Sequence, residues 1–398
     1  MSVRLASIDG LLFAIPMIAA VAACASAPLP APPEGPAPEP TAYAGTTASA
    51  APGDPTVLPL PGPAPRPALA RLADIGLPSD EGCAKCHQEI AAEQASSLHK
   101  HAWYNGYFEK AYEAERTSFC RKCHAPSADP SAEPPDAAKE AGVGCTTCHV
   151  VSQGVVGTRA LAAQRDGHAV LGDARLATNE ACGACHQFNI PAPPNVASGP
   201  MQDTLGEHAR TSFADKPCQT CHMPLVPSKD GGTHRSHAFR VQGDTAMLAQ
   251  AVKVVGTEVA HHQLALSIAP GEIGHAFPTG DLYRQVELRF TQIDAIGRPT
   301  GTPTSYTLTR KFEMQRHQPG NVAVNHQTAD SRLTARAQYR IPLAPGARKV
   351  KWQIVWQRLP PWLAESMKMN IRDHEKVVLE GTASVTWRDE TTHPSWER

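Results

Sequence analysis

The chain has 398 residues, of which 41% are hydrophobic and 19% are charged, and its formal net charge is −1. A charge this close to zero gives no reason to expect a nucleic acid partner or binding to an anionic membrane surface. The length allows two domains with terminal extensions. The spacing of the 11 cysteines, described below, leaves no disulfide framework.

Residues 1–24 have the features of an export signal. Arg4 provides a weakly positive start, and the apolar run Leu11–Ala23 is too short to span a bilayer but suits a signal peptide. The run ends in Val21-Ala22-Ala23-Cys24, which resembles a bacterial lipobox and implies that Cys24 becomes the acylated N-terminus. We therefore expect an exported protein held by a lipid anchor alone, in the outer membrane, facing the periplasm or the cell surface. The alternative is an ordinary secretory signal with an incidental cysteine.

Residues 25–72 are predicted to be a disordered tether. They contain 14 of the 37 prolines, separated by Ala, Gly, Ser and Thr. Such a composition buries no core and favours extended polyproline II structure, with a reach of about 150 Å for this stretch.

Residues 73–243 contain five copies of the pattern Cys-x-x-Cys-His, which we number in chain order: motif 1 (83–87), motif 2 (120–124), motif 3 (145–149), motif 4 (182–186) and motif 5 (218–222). This pattern is the attachment site of haem c, because residues i, i+3 and i+4 share one helix face. Bare Cys-x-x-Cys pairs also occur in redox dithiols and zinc sites, but here His follows every pair. We therefore predict five covalently attached haem c groups.

The attachment cysteines are Cys83, Cys86, Cys120, Cys123, Cys145, Cys148, Cys182, Cys185, Cys218 and Cys221, and the proximal iron ligands are His87, His124, His149, His186 and His222. A helix is predicted to start near Ser79-Asp80 and to run through motif 1 towards His99, whereas 125–144 and 191–200 are predicted loops. The domain is expected to be mostly helical or irregular. Five haems in a globule of roughly 15 Å radius of gyration must lie close together, as a relay requires.

Residues 244–398 change to the alternating pattern of β-strands. One face is apolar in 262–268, 286–290, 350–356 and 383–387, with turn signals at 297–299 and 345–346. The pattern predicts an antiparallel β-sandwich of the immunoglobulin-like kind. Pro360-Pro361-Trp362 is predicted to open a short helix that reaches about Met369. No catalytic signature occurs in this domain.

The second axial ligand of each iron decides what the haems can do. Nine further histidines precede residue 280, and only Met201 and Met223 offer sulfur from the motif-bearing region. This supply favours two histidines per iron and rather low potentials. The nine are His99, His101, His168, His208, His234, His237, His261, His262 and His275.

Several segments, in order over about residues 80–300, resemble the cytochrome c-554-type multihaem family and its larger relatives with a C-terminal β-domain. The segments are 97–99 (Ser-Leu-His), 142–144 before motif 3, 185–188, 221–224, 237–239 and 274–280 (Gly-His-Ala-Phe-Pro-Thr-Gly), and His168 lies 14 residues before Cys182. The resemblance implies His99, His168, His237 and His275 as distal ligands. A fifth would be His208, where relatives often carry an aromatic residue, or His101 in its place.

These observations predict an electron-transfer cytochrome that serves redox protein partners in a respiratory chain. The alternative is a reductase of the nitrite, hydroxylamine or tetrathionate kind, which needs one iron with an open position and leaves a small-molecule substrate open. A third class is an assembly role for the β-domain.

Overall fold

The computed structural model describes residues 58–62, 79–162, 167–193, 196–241, 244–317 and 322–386. The predicted signal peptide with Cys24 lies outside these ranges, as do Trp387 and all of the predicted tether except 58–62. Those five residues lie against the motif-bearing part, where Arg175 Nη2 donates to the Leu58 carbonyl at 2.5 Å. Within the described ranges, no helix has the length and apolar character needed to cross a membrane.

The motif-bearing part is built from short helices. They are α1 (Asp80–Cys86), α2 (Gln88–Ala95), α3 (Gly106–Ala114), α4 (Ser118–His124), α5 (Asp136–Ala141), α6 (Cys145–His149), α7 (Glu180–His186), α8 (Thr204–Ala209) and α9 (Gln219–His222). The five motifs lie on α1, α4, α6, α7 and α9 or at their ends. The helix predicted to run from Ser79 towards His99 is instead two helices, because His87 leaves the helical backbone at φ −100° and ψ 47°.

Small sheets join these helices. They are β1 (Val150–Val151), β2 (Gly154–Gly157) and β3 (Val170–Gly172) in one sheet, β4 (Gln187–Asn189) with β5 (Pro200–Asp203), and β6 (Leu225–Pro227) with β7 (Thr233–Arg235). A 3-10 turn covers Ala174–Ala177. Helix α5 lies inside the predicted loop 125–144, whereas 191–193 and 196–199 form no helix or strand. The aromatic cluster of Trp103, Phe108 and Tyr112 is small for a part of this size, as expected if haem groups fill the interior.

The C-terminal part is antiparallel. Helix α10 (Thr245–Gln250) leads into the strands β8 (Val252–Ala260), β9 (Gln263–Pro270), β10 (Gln285–Ile293), β11 (Pro299–Leu308), β12 (Arg310–His317), β13 (Val322–Asp330), β14 (Ala337–Pro342), β15 (Lys349–Gln357) and β16 (Glu375–Ser384). The orders are β11-β10-β15-β16 in one sheet and β14-β9-β8 in another, while β12 and β13 form a hairpin. Helix α11 (Pro361–Ser366) ends three residues before the predicted Met369, and a 3-10 turn covers Ile371–His374.

One core joins the two larger sheets. Leu264, Leu266 and Ile268 of β9 are fully buried with Leu288 of β10 and Ile354 of β15 in a single hydrophobic cluster. In the register, Leu288 lies opposite Ile354 and Phe290 opposite Trp352. Because alternate residues of these strands lie in this cluster, the two antiparallel sheets share one core.

The two parts are joined by buried polar contacts. Arg332 Nη1 lies 2.6 Å from Glu207 Oε1, and the two side chains are only 6% and 4% exposed. The hydroxyl of Thr279 donates to Glu207 Oε2 at 2.6 Å, and Arg310 of β12 donates to the carbonyls of Pro200 and Met201. These contacts fix the segment 274–280 against the motif-bearing part.

Candidate haem-binding site

Four of the five motif histidines face a second histidine ring. The ring centres are 6.3 Å apart for His87 and His168, 6.1 Å for His99 and His186, 6.2 Å for His149 and His237, and 6.3 Å for His222 and His275. A metal–imidazole bond of about 2.0 Å places two rings on opposite sides of one iron with centres roughly 6 Å apart. The four gaps therefore fit one haem iron each.

Backbone carbonyls hold most of these rings in the orientation that ligation requires. A ring that donates from Nδ1 to a carbonyl leaves Nε2 free for the iron. The Nδ1–oxygen distances are 2.9 Å for His149 and Val156, 3.1 Å for His168 and Ala169, 3.1 Å for His222 and Arg240, 2.8 Å for His237 and Arg235, and 3.0 Å for His275 and Ala276. Motif and distal histidines alike are thus oriented by the backbone.

Burial keeps several of these imidazoles neutral. Removal from water lowers the pKa of His99 to about 4, that of His186 to about 3 and that of His275 to about 4, and it also lowers the pKa of His237. The neutral ring is the form that binds a metal. At neutral pH these side chains are therefore ready to ligate without first losing a proton.

Motif 2 differs from the other four. Among the described residues, no histidine ring faces His124 across a gap of this size. Phe108 stacks on the face of its imidazole, with ring centres 3.6 Å apart and an interplanar angle of 4°. His124 Nδ1 lies 2.5 Å from the Ala102 carbonyl oxygen, so its Nε2 still points away from this packing. Phe108 therefore supports the proximal side and does not replace a ligand.

The two residues predicted for a fifth distal ligand lie elsewhere. His208 on α8 is buried, with Nδ1 3.4 Å from Asn179 Nδ2, and its ring lies beside Gly274 next to His275. His101 is exposed to solvent. Within the described ranges, the structure brings neither ring opposite His124.

Contacts between attachment cysteines show which motifs are neighbours. The thiol of Cys83 lies close enough to that of Cys145 to interact with it, and the same holds for Cys123 with Cys185 and for Cys182 with Cys218. Cys148 of motif 3 is close enough to both cysteines of motif 4 to interact electrostatically with them. Motif 4 therefore adjoins motifs 2, 3 and 5, while motif 1 adjoins motif 3.

Some supporting residues carry no local signal in the sequence. Glu93 of α2 accepts the backbone N–H of His237 at 2.8 Å and lies 3.2 Å from His234 Nε2. Phe239 packs edge-on against His99, with ring centres 4.2 Å apart. Both contacts join positions about 140 residues apart in the chain. In the sequence, the resemblance of the segment 237–239 indicates His237 and Phe239, whereas nothing indicates Glu93.

No protein-family model matches the chain, and no curated protein matches it. Among solved structures, the chain is similar to a penta-heme cytochrome c552 from Thermochromatium tepidum, with a TM-score of 0.60 and 19% sequence identity. The match covers 77% of this chain and 99% of that chain. The likeness shows a shared fold. Membership of the cytochrome c-554-type family and the immunoglobulin-like class of the sandwich stay predictions.

Proposed function

We propose that this chain is a pentahaem c-type cytochrome that transfers electrons between protein partners. The observation that carries the proposal is the set of four histidine pairs with ring centres 6.1–6.3 Å apart. Each pair contains one histidine of a Cys-x-x-Cys-His motif, which is the residue that ligates the iron of haem c. The spacing therefore agrees with the haem chemistry predicted from the motifs.

Five haem c groups are covalently attached, one at each motif. The ten motif cysteines would form the thioether bonds, and one-electron transfer is the chemistry that the haems would supply. Two imidazoles per iron favour low potentials. Since motif 4 adjoins three other motifs, its haem would be the junction of the relay, and electrons that enter at motif 1 would reach it through motif 3.

The count and the redox chemistry are tested on matured protein. Intact mass should show five haem additions, and a spectroelectrochemical titration should show reversible one-electron steps at low potential. Four or fewer haem additions, or the lack of reversible reduction, would contradict the proposal.

Export and membrane attachment extend the proposal to residues outside the described ranges. The lipobox-like run ending at Cys24 and the proline-rich stretch after it favour a lipid-anchored protein that meets respiratory redox partners in the outer membrane, from the periplasm or the cell surface. One acyl chain binds a membrane marginally, whereas several hold it firmly. Cys24→Ala should release the cytochrome into the soluble fraction. A variant that still sediments with membranes would place the anchor elsewhere.

A second candidate function is small-molecule reduction at motif 2. It is favoured by the lack of a histidine opposite His124 among the described residues, because an open axial position is what a haem reductase needs. Addition of nitrite or hydroxylamine to the reduced protein distinguishes the two candidates. Rapid reoxidation with turnover supports the reductase, and an unchanged reduced spectrum supports electron transfer alone.

A further inference from the structure

Two arginines of the β-sandwich part have a buried donor that nothing in the described chain accepts. Arg284 directly precedes β10 and Arg358 directly follows β15, and the Nε atom of each is buried without a hydrogen-bond partner among the described residues. A buried donor left unpaired costs about 1–3 kcal/mol, and more when it is charged. The two positions therefore indicate acceptors other than the described residues.

The missing side chain of Gly280 leaves space for the guanidinium group of Arg284. Gly280 has a φ of +110°, and a Cβ at this position would lie 2.6 Å from Arg284 Nη1. Arg284 Nη1 donates to the Thr279 carbonyl at 3.2 Å, while Arg284 Nε lies 3.6 Å from Asp281 Oδ2, which is longer than a hydrogen bond. The guanidinium is thus held through Nη1, while its buried Nε faces Asp281 and has no hydrogen-bond acceptor among the described residues.

The second arginine is held in the same way. Arg358 Nη2 donates to Asn105 Oδ1 at 2.9 Å, and its guanidinium carbon lies 5.3 Å from the ring centre of Tyr107. Arg358 also lines a cavity of about 450 Å³ between the two parts, together with Phe239 and the charged residues Lys376 and Asp373. The cavity therefore has space for an acceptor group beside Arg358.

Both arginines lie near iron-ligand histidines. Arg358 donates to the Asn105 side chain, which also accepts the N–H of Phe108, and Phe108 stacks on His124. Arg284 donates to the Thr279 carbonyl, and the Thr279 hydroxyl lies 3.1 Å from that of Thr204. The Gln202 amide donates to Thr204 and lies 3.0 Å from His186 Nδ1.

Gln285 lies opposite Gln357 in the antiparallel register of β10 and β15, so Arg284 and Arg358, the next residue on each chain segment, are neighbours. Among the described residues, Asp281 lies 3.6 Å from Arg284 Nε, while Asp373 and Lys376 line the cavity beside Arg358 with opposite charges. The two guanidinium groups therefore leave positive charge in excess there.

We infer that Arg284 and Arg358 form a binding site for carboxylate, supplied by propionate side chains of the haems at motifs 2 and 4. The inference rests on the proposed function, because the propionates belong to those haems. A guanidinium presents paired donors that match a carboxylate, and it stays charged when buried. The β-sandwich part thereby contributes counter-charges to haems attached to the other part, and these charges raise the midpoint potential.

The test compares charge-removing variants with a matched control. Arg284→Gln, Arg358→Gln and the double variant should shift one or two midpoint potentials downwards. At fixed potential, the reduced-to-oxidised ratio of the affected haem should fall about tenfold in the double variant, which corresponds to about 59 mV for a one-electron couple. Arg298→Gln removes the same charge from an exposed turn beyond the far end of β10 and should leave every potential unchanged.

Arg358→Lys retains the charge and should keep the potential near the wild-type value. Formate, added to the oxidised protein, distinguishes the two sources of carboxylate. No effect of formate on the wild-type Soret band, with shifted potentials in the Gln variants, supports the propionates. A formate-dependent Soret shift that the double variant loses would overturn the propionate source and assign the site to a free anion.

Unchanged potentials in the double variant, or an equal shift in Arg358→Lys, would overturn the arginine site itself. Intact mass on the same samples separates this failure from failure of the proposed function. Five haem additions with unchanged potentials contradict only the arginine site, whereas missing additions in the wild type contradict the function.

Discussion

His275 belongs by sequence to the β-sandwich part but lies opposite a motif histidine of the other part. Its ring is nearly parallel to that of His222, at 7°, and the residue is half-buried. The residue sits in the segment 274–280, which the contacts of Thr279 and Glu207 hold in place. A single side chain can therefore complete the ligand set of motif 5 and fix the β-sandwich part as a lid over it.

His275→Ala should leave five thioether-bound haems and convert one iron from low-spin to high-spin. The physical reason is the loss of the sixth ligand with the proximal His222 and both thioether bonds intact. We also expect a raised potential for that haem and faster proteolysis between the two parts. His101→Ala is the matched control, since His101 is exposed and faces no motif histidine among the described residues. Equal spectra for both variants would remove His275 from the ligand set.

At the scale of elements, α1 and α6 are joined through one carboxylate. Asp80 Oδ1 accepts the N–H of Thr146 at 3.0 Å, and burial raises the pKa of the Asp80 side chain. Gly144 permits this approach, because a Cβ there would lie 1.7 Å from Asp80 Oδ2. The contact brings motifs 1 and 3 together, where the thiols of Cys83 and Cys145 meet.

Gly144→Ala should displace Asp80 and lower the free energy of unfolding by about 1–3 kcal/mol, the cost of leaving a buried polar group without its partner. Gly199→Ala is the control, since a Cβ at that glycine meets no atom within 4 Å. Thermal unfolding followed by circular dichroism measures both. A loss for Gly144→Ala no larger than that of the control would show that the Asp80 contact contributes little.

The elements also show what could be predicted from the sequence. The five motifs and the strands β9, β10 and β15 follow from local patterns, because haem attachment and period-two alternation depend on neighbours in the chain. The break of the helix at His87 and the order of the motifs in space could not be predicted from local patterns, because they depend on packing between distant segments. Glu93 and Arg332 carry no signal for the same reason: their partners His237 and Glu207 are more than 100 residues away.

For the whole molecule, the buried ion pair of Glu207 and Arg332 couples the two parts. Glu207→Gln should lower the free energy of unfolding by about 1–3 kcal/mol, because Arg332 keeps Asp330 but loses a charged partner. Glu272→Gln removes the exposed pair with Lys253 and should change stability little. Urea unfolding of the two variants provides the comparison. Indistinguishable midpoints would mean that the parts are joined without help from the buried pair.

The proposed function depends on the four facing histidine pairs, and the spin state of the irons shows whether these histidines bind iron. Electron paramagnetic resonance of the fully oxidised protein, with the haem count fixed by intact mass, should show four low-spin ferric irons with two histidine ligands. Fewer than four low-spin irons in protein that carries five haems would contradict the pairs.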